Sequence, residues 1–211
     1  MEGMRVIGFY HCLLINHWYS IIMGQLRIML NSGLYDRCEE INIGCLGKED
    51  QKLLLEKHVV NVYPKLKIRY YSHDISKYEF PTIQLIENDN SEYVGFYFHT
   101  KAVTKPAETV VNVWREWLNE AILWRWQEHY QNVAEKGYGA SGVNPMHSPD
   151  HYSGNFFWFN REYVNTLPKI STLDPAWRYH AEQWICMNDK KHIFEGEFKE
   201  PGRDVFMMQN T

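Results

Sequence analysis

The sequence predicts an α/β domain in which helices cover both faces of a largely parallel sheet. Three observations carry that expectation. In the first half of the chain, short runs rich in β-branched and aromatic residues alternate with stretches of helical periodicity. The first and fourth of those runs, Arg5–His11 and Tyr93–Phe98, are largely apolar, as buried strands are. Strands separated by helices pair in parallel through right-handed crossovers, which gives three layers.

The elements follow in order. Arg5–His11 is a short apolar run that reads as a buried first strand. Trp18–Leu30 places Ile21, Ile22, Leu26, Met29 and Leu30 at helical spacing, and Asn31-Ser32-Gly33 supplies the stop. Glu40–Leu46 is a second strand and Lys48–Lys57 a short helix. Lys65–Tyr71 alternates as a third strand and runs out into Ser72-His73-Asp74. Pro81 suits the first turn of a helix reaching about Asn88. Tyr93–Phe98 is the fourth strand.

The second half is less regular. Glu108–Ala134 reads as the longest helix, broken by the Gly137–Gly142 segment, which holds a short strand or loop. His147–Asp150 is turn-like. Arg161–Leu167 and Ala176–Asn188 read as helices, and Glu195–Phe198 as a late strand. No repeat or linker divides the chain, so residues 1–211 are expected to form a single domain. Arg203–Thr211 lacks a tidy stop, which suits a domain cut from a longer protein.

Composition narrows the function. Lys and Arg number 22 against 26 Asp and Glu, a net charge of −4, so the basic stripe of a nucleic-acid binder is not expected. No apolar run is long enough to span a bilayer. Cys12, Cys38, Cys45 and Cys186 are scattered without a Cys-x-x-Cys pair, which argues against zinc or thioredoxin chemistry. With no secretion signal, they suggest a reducing, cytoplasmic setting.

Ligands of parallel α/β sheets sit beyond the carboxyl ends of the strands. That rule selects Tyr10 and His11, His73 and Asp74, and above all His99-Thr100-Lys101, an imidazole, a hydroxyl and an ammonium ending an apolar strand. Such a cluster suits a phosphate or diphosphate, unless the strand simply emerges into solvent. Neither a Gly-x-Gly-x-x-Gly nor a P-loop motif claims the edge. In His151–Trp158, a Ser-Gly-Asn turn inside an aromatic run suits a carbohydrate, with Trp158 as a hydrophobic wall; a bulge between core aromatics is the structural alternative. Arg178 and Glu182, four apart on a helix, are either a surface ion pair or an anion contact and a general base. Arg115 falls one position off the core residue Trp114 and carries little weight.

Four segments, in this order, resemble small GT-A-fold glycosyltransferases: Tyr97-Phe98-His99-Thr100-Lys101, Val113-Trp114-Arg115, His151–Trp158 and Ala181-Glu182-Gln183-Trp184. Such enzymes occur in polysaccharide-building gene sets and in large DNA viruses. The resemblance is nearest to the N-terminal glycosyltransferase domain of multidomain chlorovirus proteins, where the setting would be the host cytoplasm. It implies a three-layer α/β/α, GT-A-type (Rossmann-like) fold with a mixed, mainly parallel sheet. The implied activity is transfer of a hexosyl or deoxyhexosyl group from a nucleoside-diphosphate donor, a UDP-sugar, to a glycan acceptor. The donor would lie across the first half of the sheet and the acceptor across the second.

By the same resemblance, Tyr10, His11 and Asp74 fall where the nucleoside is held, and His99, Thr100 and Lys101 with Arg178 at the diphosphate. Ser153, Gly154, Asn155 and Trp158 would line the donor sugar or acceptor, and Glu182 would be the catalytic base. The departure is at His99-Thr100-Lys101, which replaces the family's Asp-x-Asp, the usual holder of Mn²⁺ or Mg²⁺. Either His99 ligates a divalent metal with Asp74 or Asp89, the favoured expectation, or Lys101 and Arg178 neutralise the diphosphate directly. The competing readings are a non-catalytic carbohydrate-binding module, and a hydrolytic or phosphotransfer enzyme using His99 and Asp74. The second lacks a Gly-x-Ser-x-Gly elbow.

Overall fold

A computed structural model describes residues 4–105, 108–147, 149–188 and 193–195. In chain order the elements are β1 (Val6–Leu14), α1 (Trp18–Asn31), α2 (Leu34–Arg37), β2 (Glu40–Gly47), α3 (Glu49–Leu55), β3 (Leu66–Ser72), α4 (Phe80–Asn88) and β4 (Val94–His99). They continue with α5 (Thr109–Asn119), α6 (Trp126–Ala134), β5 (Ala140–Gly142), β6 (Pro145–His147), β7 (Asp150–Tyr152), β8 (Phe157–Asn160), α7 (Arg161–Val164), α8 (Tyr179–Gln183) and β9 (Ile193–Glu195).

One seven-stranded sheet runs β3-β2-β1-β4-β8-β5-β9. Strand β8 is antiparallel to both neighbours and every other pairing is parallel. The expected mixed, mainly parallel, three-layer Rossmann-like architecture is therefore the observed one. Side chains of β1 alternate between two cores. Val6, Tyr10, Cys12 and Leu14 join α1 and α5 on one face, while Ile7 and Phe9 join α4 on the other. Both faces are covered, which is why the strand is apolar but for His11.

Several elements differ from expectation, among them α7, which stops at Val164 short of the expected Leu167. The long helix breaks: α5 passes into a π-helical turn at Glu120–Trp124, and α6 restarts after Arg125. The indole of Trp158 donates to the carbonyl of Ile122 at 3.1 Å, and His129 Nε2 lies 3.2 Å from that of Ala121. Side chains thus take carbonyls the α-helical ladder would use, and the helix yields there. The helix expected over Ala176–Asn188 shrinks to α8 and a 3₁₀ turn at Trp184–Cys186. The late strand begins at Ile193, and the rest of the expected segment, residues 196–198, lies outside the described residues.

Candidate active site

Strands β1, β2 and β3 spread to one side of the sheet, and β4 returns to the other side of β1. The strand order therefore reverses between β1 and β4, the position at which open α/β sheets bind ligands. A cavity of about 470 Å³ opens there. Its floor comes from His11 and Leu13 of β1 and from His99 at the end of β4. Its walls include Tyr78 and Glu79 ahead of α4, Trp114 of α5, and Arg178 and Glu182 at α8.

The strand end is pinned to its neighbour. Thr100 N donates to the His11 carbonyl at 3.1 Å, and Thr100 Oγ1 accepts from Leu13 N at 2.9 Å. The chain then turns through Ala102, whose φ of 70° is left-handed. Lys101 is thereby held with its ammonium 4.1 Å from the centre of the Trp114 ring, a cation–π contact. His99 Nε2 lies 2.9 Å from the Gly154 carbonyl, so this nitrogen carries the proton and donates. Gly154 needs to be glycine. Its φ is +95°, and a Cβ would stand 2.5 Å from Leu118 Cδ1.

Burial governs the charges. It pushes His99 down to about 3, with Lys101 adding to the effect, and His11 down to about 4, so both rings are neutral. It presses Lys101 down, while Glu182 and Glu79 pull it back toward the charged form. Burial raises Glu182, and the charge of Glu79 raises it further against Lys101, His99 and Arg178. A carboxyl so placed is a better base than a solvated glutamate. Among the described residues, neither Lys101 nor Arg178 forms an ion pair with Glu79 or Glu182. The cations and carboxylates share one cavity without closing on each other.

Neither a family model nor a curated protein sequence matches the chain. A solved structure does: 4-diphosphocytidyl-2C-methyl-D-erythritol synthase from Anaerococcus prevotii, 12% identical, with a TM-score of 0.50 over 99% of this chain and 96% of that one. What the two share is the fold. That likeness lends no support to a chloroviral origin.

Of the residues the sequence singled out, His11, His99, Thr100, Lys101, Arg178 and Glu182 do converge on the cavity. Others do not. Tyr10 points to the opposite face of β1 from His11, because successive strand residues alternate. Its hydroxyl donates to Gln25 at 2.5 Å, and Gln25 in turn donates to the His99 carbonyl at 3.0 Å, so Tyr10 braces the strand end from behind. Asp74 is exposed, and its carboxylate accepts from Ser76 N and Oγ at 3.0 and 2.5 Å, capping the turn Ile75–Lys77. Those bonds hold it below the usual carboxylate range.

Trp158 is not a wall. It is fully buried and stacks on Phe96 at 4.8 Å, because β8 is an interior strand with both faces covered. Ser153 is half-buried, and Gly154 and Asn155 are buried behind the cavity lining. Arg115 Nη1 lies 3.5 Å from the Lys101 carbonyl and bonds Asn112, a support for the loop.

The ligands expected for a divalent cation are not gathered at the cavity, whose lining includes His99 but neither Asp74 nor Asp89. Asp89, like Asp74, spends its carboxylate on a neighbouring serine, Ser91. Among the described residues, no three His, Cys, Asp or Glu side chains are grouped to hold a metal ion. No described helix is long and apolar enough to cross a membrane.

Sequence reasoning missed Glu79 and Trp114 as parts of the site. Pro81 was the available signal for Glu79. A proline in the first turn fixes where α4 starts, and the residue ahead of it stands at the carboxyl edge of the sheet.

Proposed function

We propose that this chain is a glycosyltransferase that moves a sugar from a nucleoside-diphosphate donor, a UDP-sugar, to a glycan acceptor. The observation that supports this reading is the separation of charge in the switch-point cavity, where Lys101 over Trp114 and Arg178 against Tyr179 form no ion pair, among the described residues, with Glu182, whose carboxyl is raised. In the transfer, the bond from the anomeric carbon to the diphosphate oxygen breaks as the acceptor hydroxyl oxygen bonds to that carbon. Lys101, with Arg178, neutralises the charge that develops on the departing diphosphate. Glu182 takes the proton the acceptor hydroxyl gives up. These roles use the protein's own cations, the second of the two ways a site without Asp-x-Asp can work.

Thermal unfolding in the presence of UDP, GDP, dTDP and CTP, each with Mn²⁺ or with EDTA, tests the reading. A diphosphate at 100 times its dissociation constant stabilises the protein by about 2.7 kcal/mol. UDP is expected to stabilise it, and EDTA to leave the gain intact. Release of free sugar from a UDP-sugar then reports catalysis. If no nucleotide stabilises the protein while glycans do, it is a carbohydrate-binding module instead.

A further inference from the structure

Glu79 stands outside the roles given so far, and its surroundings are unusually specific. Both hydrogen bonds to its carboxylate from the described residues fall on the same oxygen. Tyr97 Oη donates to Oε2 at 2.5 Å and Asn155 Nδ2 donates to Oε2 at 2.6 Å. The two donors are buried, at 0% and 1% exposure, whereas Glu79 lines the cavity. The asparagine's orientation follows from its partners. Its amide nitrogen faces the Glu79 carboxylate and the Ala181 carbonyl, and a flipped amide would set an oxygen against both. Oε1 receives no donor from the described residues, and no ion pair with Lys101 or Arg178 satisfies it.

An ionised carboxylate in a partly desolvated cavity needs a donor for each oxygen. Here the fold spends two buried donors on fixing one oxygen of a carboxylate that lines the cavity, and leaves the other without a donor among the described residues. Lys101 is held over Trp114 and, among the described residues, forms no ion pair with Glu79. A phosphate oxygen carries no proton to donate at neutral pH and would be repelled, whereas a hydroxyl donates readily. We propose that Glu79 binds, through Oε1, a hydroxyl of the sugar carried by the donor, and so selects sugar nucleotides over the bare nucleoside diphosphate. Tyr97 and Asn155 are positioning residues that act through Glu79. This inference rests on the reading of the cavity as a sugar-nucleotide site.

Calorimetric titration tests it, comparing UDP with UDP-glucose, UDP-galactose and UDP-N-acetylglucosamine on the wild type, Glu79→Gln and Tyr97→Phe. Circular dichroism verifies that each variant is folded. The wild type is expected to bind at least one UDP-sugar more tightly than UDP. Glu79→Gln should erase about tenfold or more of that preference, the size of a charged hydrogen bond, with UDP affinity within about twofold of wild type. Tyr97→Phe should erase part of it, because the carboxylate loses one of two tethers. An unchanged preference in folded Glu79→Gln overturns the assignment of Glu79 and leaves the transferase reading standing. A wild type that binds UDP but prefers no sugar nucleotide overturns the assignment as well. A wild type that binds none of the four compounds overturns both.

Discussion

Replacing Lys101 by alanine removes the cation that the fold holds against Trp114 at the mouth of the strand end, 4.1 Å from the ring centre. A hydrogen bond from a charged donor contributes about 1.5–3 kcal/mol, which is about 10- to 100-fold in affinity. UDP binding should weaken by that factor, while uridine, which lacks the diphosphate, should bind within about twofold of wild type. Glu182 should respond as well. Lys101 holds its proton affinity down, so Lys101→Ala should raise the pH at which the base loses its proton. The acidic limb of the pH–rate profile, already above the range of an ordinary glutamate, then moves further up. Isothermal titration and a sugar-release assay across pH measure the two effects. Equal losses for UDP and uridine, or an unchanged UDP affinity, would refute the role of Lys101 as the diphosphate cation.

Three further outcomes are expected. Glu182→Gln should lower transfer by about 10²- to 10⁴-fold, the scale of general-base catalysis, with UDP-sugar affinity retained in a binding assay. Trp158→Ala should cost about 3–5 kcal/mol in urea unfolding, since the indole is a core residue and not a ligand wall. Stability should also fall on mild acidification. Burial holds His11 and His129 down at about 4 and His99 at about 3, against about 6.5 when unfolded. A histidine lowered in the folded state contributes stability that is full above the unfolded value and is lost as pH drops below it. Each contributes a slope of up to about 1.4 kcal/mol per pH unit between roughly 6.5 and its folded value. Urea midpoints measured from pH 7 to pH 5 should fall, and less steeply in His129→Asn.

The sequence by itself determined the order of strands and helices through β4, because a strand buried on both faces must be apolar at every position and a helix must repeat its apolar residues at its own period. It also determined that His99-Thr100-Lys101 ends a buried strand, and therefore stands where α/β sheets take ligands. Tertiary structure decided which neighbours share that edge. Tyr10 and His11 are adjacent in sequence and on opposite faces of the sheet, a division set by the pleat and by which helix covers each face. Trp158 reads equally well as a binding aromatic or as core until β8 is inserted between β4 and β5. A carboxylate such as Asp74 announces a ligand or a turn cap with the same letter, and only the nearby Ser76 shows that it is a cap. Glu79 and Glu182, about a hundred residues apart, share one cavity because α4 and α8 lie on the same face of the sheet. Periodicity describes one element at a time. The meeting of charges from separate elements is a property of their packing.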